Sequence, residues 1–118
     1  MNKMRINSIK KGKAGEREAA ALLRKYGFEA RRGQQFSGGG DSPDVVHNIP
    51  KIHIEVKRTE TLSVYKAMQQ AREDGHKKIP VVLHRRRGKE WLAILPAENF
   101  LALLKKYENL KREFHRDA

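Results

Sequence analysis

The chain has 118 residues, and 26 Lys and Arg against 14 Asp and Glu give it a formal charge of +12. That length suits one domain with a small core. The absence of cysteine excludes a disulfide scaffold, a thiolate zinc site and a cysteine nucleophile. No apolar run is long enough to span a membrane. The basic stretch from Met1 to Lys13 is followed by no apolar segment of a secretory signal, so the cytoplasm is the expected compartment. The charge is the footprint of a nucleic-acid binder. An aromatic share of 7% argues against binding single strands by base stacking.

Residues 1–13 read as a frayed basic arm and residues 14–118 as a single domain. Ala14 to Lys25 is rich in alanine, a strong helix former. Glu16, Ala19, Ala20, Leu23 and Tyr26 recur with helical period on one face, and Gly27 stops the helix. Phe28 to Phe36 reads as a strand, and Ser37 to Pro43 as a glycine-rich loop. Asp44 to His47 and Ile52 to Val56 read as two strands joined by a hairpin turn at Asn48–Lys51. Leu62 to Asp74 reads as a helix with Val64, Ala67, Met68 and Ala71 inward, ended by Gly75. Ile79 to His84 suits a buried central strand, Arg85–Lys89 is a basic turn, and Glu90 to Leu95 is a last strand. Pro96 opens a final helix whose stripe of Phe100, Leu103, Leu104, Tyr107 and Leu110 is apolar. The order α-β-β-β-α-β-β-α predicts an α/β fold, a central mixed β-sheet flanked by helices.

The informative spacing is Ser42-Pro43-Asp44-Val45-Val46 followed by Glu55-Val56-Lys57, with ten residues between Asp44 and Glu55. Glu55 and Lys57 are two apart on a strand and project from one face. Asp44, at the start of the preceding strand, is expected beside Glu55. Two carboxylates and an ammonium at a sheet edge suit metal-dependent phosphodiester hydrolysis. Asp44 and Glu55 offer hard oxygens to Mg²⁺, the Val56 carbonyl offers a third, and the metal polarises phosphate and acidifies bound water. Lys57 is placed to orient or deprotonate that water, or to stabilise the developing charge. Glu16 lies on the core-facing stripe of the first helix, where an unpaired carboxylate is costly, and is expected to reach the same cluster. The five histidines are scattered without metal-ligand spacing. His53 shares parity with Glu55 and is expected to be solvated or to contact phosphate. Gly38-Gly39-Gly40 lacks the Lys-Ser/Thr and helix of a P-loop and reads as a flap that approaches DNA.

With these residues in place, the chain resembles the PD-(D/E)xK nuclease superfamily, and within it the Holliday-junction resolvases of archaea and phages. The matching stretches are Gly12-Lys13-Ala14-Gly15-Glu16-Arg17-Glu18, Gly27-Phe28, Arg31 to Gly38, Pro43-Asp44-Val45 and Ile54-Glu55-Val56-Lys57. They run from about Gly12 to Leu95. The resemblance implies a restriction-endonuclease-like fold and a catalytic set of Glu16, Asp44, Glu55 and Lys57, with Mg²⁺ (or Mn²⁺) on Asp44, Glu55, Val56 and Glu16. It also implies Ser37 near the scissile phosphate, Arg17 on phosphate, and a glutamine on the helix after Glu-x-Lys, for which Gln70 is preferred to Gln69. Its substrate would be four-way DNA, cut by paired symmetric nicks in a homodimer that joins through the stripe at Met68 or at Phe100–Leu104. Lys10, Lys11, Lys13, Arg31, Arg32, Arg58, Arg85, Arg86 and Arg87 complete the expected DNA footprint. A flap, mismatch or nicking nuclease carries the same motifs. A non-catalytic DNA-binding protein fits the charge but gives no reason for Glu16, Asp44 and Glu55.

Overall fold

The structure, a computed structural model, describes residues 3–33 and 44–116, with side chains placed for 12–33 and 44–115. Ser37, the Gly38–Gly40 flap and the side chains of Lys10 and Lys11 therefore lie outside the described residues. The element order is α1 (Lys3–Lys25), β1 (Ala30–Arg32), β2 (Val45–His47), β3 (Ile52–Lys57), α2 (Val64–Gly75), β4 (Ile79–His84), β5 (Leu92–Ile94) and α3 (Ala97–Arg116). This is the predicted order of helices and strands.

Three local expectations change. Residues 3–13 are not a frayed arm but the first turns of a 23-residue helix. Lys, Arg and Met are good helix formers, no proline interrupts them, and the run carries the helix through Gly12 and Gly15 despite the roughly 1 kcal/mol that each glycine costs. The second change concerns pairing. β2 lies antiparallel to β1, with Arg31 opposite Val46, rather than forming a hairpin ladder with β3. β3 instead runs parallel to β4, with Glu55 opposite Val82, and β4 pairs antiparallel with β5. Among the described residues this makes a mixed three-stranded sheet, β3-β4-β5, beside a two-stranded one. The turn at 48–51 does not form a β2–β3 ladder because Asn48 returns to β1's side. Its N–H donates to the Glu29 carbonyl at 3.2 Å, and its Oδ1 accepts from the Glu29 N–H.

β3 is buried on both faces, as expected of a strand with helices above and below. On one side Ala19 and Ala20 of α1 meet Val45, Ile54, Val56 and Leu83. On the other Ala67 and Ala71 of α2 meet Val82. Alanine at the contact positions lets both helix backbones approach the sheet closely. The third change is at Val64, expected inward but exposed at the first turn of α2. α3 behaves differently from α1 and α2: among the described residues it makes almost no packing contact with any other element. Its large apolar side chains are all exposed, from 43% at Leu103 to 79% at Phe114.

Candidate active site

β3 supplies the centre of the site. His53, Glu55 and Lys57 alternate onto one face, which α2 covers. Lys57 Nζ donates to Gln70 Oε1 at 2.8 Å and stands 3.9 Å from Glu55 Oε1. Glu55 is buried, and its other oxygen, Oε2, lies 3.3 Å from His53 Nε2. Gln69 points elsewhere, donating to Glu73 Oε1, so Gln70 is the glutamine that faces the pocket. Beside it a shallow cleft is lined by Thr59, Ser63 and Lys66.

Asp44 reaches β3 without a ladder. Its Oδ2 accepts a hydrogen bond from the Val56 N–H at 2.8 Å. The Val56 carbonyl points the same way. The carbonyls of Lys51 and Lys57 accept from Ile79 and Arg85 on the β4 side, so by strand alternation that of Val56 is directed away from β4, toward Asp44. Burial pushes the Asp44 carboxyl up to about 7; the Glu55 charge adds to the shift and the Val56 N–H opposes it. Burial also raises Glu16, against the pull of a hydrogen bond from Arg32 Nε at 2.9 Å. Glu55 contributes its charge to both shifts. Three half-buried or buried carboxylates thus repel one another around an oxygen-lined pocket. A hard dication relieves that repulsion, and the donor set of two carboxylates and a strand carbonyl fits Mg²⁺.

The family model of the archaeal Holliday-junction resolvases matches residues 7–116. The chain belongs to that family. Among solved structures, Hjc of Archaeoglobus fulgidus, a Holliday-junction resolvase from an archaeal hyperthermophile, has the same fold. It is 24% identical over 72% of each chain, with a TM-score of 0.51. No curated protein matches the chain.

In this resolvase-family chain the expected DNA-contacting cations fall into two groups. Lys13, Arg17, Arg31, Arg86 and Arg87 are exposed. Arg32, Arg58 and Arg85 already have partners. Arg32 holds Glu16, while Glu18 accepts from Arg58 Nε at 3.1 Å and from Arg85 Nη1 at 3.4 Å. Glu18 therefore ties α1 to the ends of β3 and β4. Gly15 makes this approach possible, because any side chain there would collide with the Arg58 stem.

His53 departs from expectation. It is not solvated but 6% exposed, since the face it shares with Glu55 lies under α2. Asp74, which no motif in the sequence marks, offers a carboxylate oxygen within 4.8 Å of ligand atoms of His53 and Glu55. It stands four residues after Gln70, on the same face of α2, and that spacing was the available signal.

Proposed function

We propose that this chain is a metal-dependent endodeoxyribonuclease that resolves four-way DNA junctions by paired symmetric nicks as a homodimer. The observation that carries the reading is the convergence of Glu16, Asp44, Glu55 and Lys57 on one pocket in a chain of the resolvase family. Asp44, Glu55 and the Val56 carbonyl would hold Mg²⁺, for which Mn²⁺ substitutes, with Glu16 next to them. When bound, the ion polarises the scissile phosphate and supplies an acidified water. Asp44 is kept in place by the Val56 N–H. Glu16 is kept in place by Arg32. Gln70 holds the Lys57 ammonium at the pocket, where it can orient the water or neutralise charge developing on the phosphate. Arg17, Arg31, Arg86 and Arg87, with Lys10, Lys11, Lys13 and Ser37, would carry the duplex arms.

The exposed stripe of α3 supports the dimer. Phe100, Leu103, Leu104, Tyr107 and Leu110 are each 43–65% exposed on one helix face, the kind of apolar patch that marks an interaction surface. At its root, Met68, Tyr65, Ile94 and Pro96 line a groove that continues the apolar surface. Among the described residues no helix is long and apolar enough to cross a membrane, and the site of action is expected to be the cytoplasm.

Cleavage mapping on four-way, flap, Y and duplex substrates tests the reading, with Mg²⁺, Mn²⁺, Ca²⁺ or EDTA present. Symmetric paired nicks on the four-way junction in Mg²⁺ and Mn²⁺ are expected, with binding but no cutting in Ca²⁺. Preference for flap or duplex DNA would assign a different nuclease. Binding without cleavage under every condition would leave a DNA-binding protein.

A further inference from the structure

We propose that His53, Glu55 and Asp74 form a second metal position that takes a transition-metal dication, Zn²⁺ in particular. The inference goes beyond the nuclease reading and does not rest on it, because the site is defined by its own ligands and is measured without DNA.

The geometry comes first. The three residues each direct one ligand atom into a common space, and those atoms all lie within 4.8 Å of one another. His53 Nε2 and Glu55 Oε2 are 3.3 Å apart. Ligands around a tetrahedral Zn²⁺ at about 2.0–2.1 Å stand about 3.4 Å from each other, so this pair already has the required spacing. The remaining adjustment falls to Asp74, which is exposed on the last turn of α2 and can close on the ion by a side-chain rotation.

The second argument is the cradle around His53. The ring is buried because Gly75 presses against it; a Cβ at Gly75 would fall 2.6 Å from the His53 Cβ. Glycine at the end of α2 thus gives the imidazole its berth.

The third argument is donor chemistry. An imidazole nitrogen beside two carboxylates favours Zn²⁺, Co²⁺ or Mn²⁺, whereas Mg²⁺ prefers oxygens alone. The two oxygens of Glu55 also divide cleanly. Oε1 lies toward Lys57 and Oε2 toward His53. Oε2 is therefore the Glu55 oxygen that this position uses.

The test uses the metal-stripped full-length protein. Co²⁺ is titrated while its visible ligand-field absorption is recorded, and Zn²⁺ is titrated by calorimetry, both in excess Mg²⁺. The expected result is a Co²⁺ band of a low-coordinate site that includes nitrogen, abolished by Zn²⁺ and resistant to Mg²⁺. Asp74→Asn should weaken Zn²⁺ binding by at least about tenfold, the least that loss of even an outer-sphere partner usually costs, and Asp44→Asn should leave the band in place. His53→Asn should remove the band; because His53 is packed against Gly75 this variant can fail to fold, and exposed Asp74 then decides the question. A Zn²⁺ isotherm unchanged by Asp74→Asn, or a Co²⁺ band lost in Asp44→Asn but kept in Asp74→Asn, overturns the proposal. Junction cleavage in Mg²⁺ is scored separately, so failure of this site and failure of the nuclease reading give different results.

Discussion

α1 and α3 are of similar length, 23 and 20 residues, yet they stand in opposite relation to the rest of the molecule. α1 lays Ala19 and Ala20 against the sheet, anchors Glu16 to Arg32 and Glu18 to Arg58 and Arg85, and helps close the acidic pocket. α3 offers a longer apolar stripe and buries almost none of it. The difference separates two jobs. The half with α1, α2 and β3 builds the pocket within one chain. The half with β5 and α3 leaves its apolar stripe uncovered, and in the proposed dimer a second copy would cover it.

That contrast can be broken from either end. The largest effect is expected in the pocket. Asp44→Asn and Glu55→Gln should cut the cleavage rate by more than about a hundredfold, a loss that even outer-shell ligand changes reach. Junction binding measured in Ca²⁺ should hold or tighten, because a carboxylate no longer repels phosphate. Normal cutting by either variant would remove these residues from the site.

Next comes α3. Leu103→Glu with Leu104→Glu should convert the proposed dimer to monomer in sedimentation, since each leucine buried at an interface contributes about 1.5–3 kcal/mol. The cooperative unfolding of the pocket half should survive, as its core contains no α3 residue. Loss of that transition would show that the two halves are not independent.

A smaller effect is expected from pH. The Asp44 pKa is raised in the folded chain to about 7 from an ordinary value of 3.8. Between those two values the folded state therefore binds more protons than the unfolded state, and metal-free stability should fall as pH rises from about 4 to about 7. Asp44→Asn should flatten that slope in thermal melts, and Mg²⁺ should bind more tightly as pH rises through 7 because its ligand must be ionised. A metal-free melting curve that rises across this window would contradict the burial of Asp44.

The smallest effect distinguishes the two groups of arginines. Arg86→Ala should weaken binding to all junctions and lower the salt slope by about one. Arg85→Ala should change the slope less and the melting temperature more, because Arg85 is engaged by Glu18. Equal slopes for the two variants would mean that the Glu18 contact opens on DNA.

The sequence shows clearly what depends on local pattern. The period of α1, the alternation in β3 and the spacing from Asp44 to Glu55 and Lys57 already bring Glu16, Asp44, Glu55 and Lys57 toward one another, as they lie in the structure. What it hides depends on partners distant in the chain. A turn at 48–51 looks like a hairpin until Asn48 bonds back to Glu29. His53 looks polar and outward until α2 is laid over β3. Gly75 reads as a helix stop, and its second role, making room for His53, appears only with the two elements in contact. The α3 stripe is equally plain in the sequence, but periodicity marks a face to be covered without saying which molecule covers it.

A final consequence concerns α3. A 20-residue helix with almost no packing contact among the described residues is marginal in water, so in the proposed dimer its winding is coupled to the copy it docks on. Dimerisation and helix formation then become a single concentration-dependent equilibrium. On dilution the chain should lose ellipticity from α3 at the same concentration at which it separates, while the pocket half remains folded. A solitary copy would keep one acidic pocket and lose the rigid link that couples it to another.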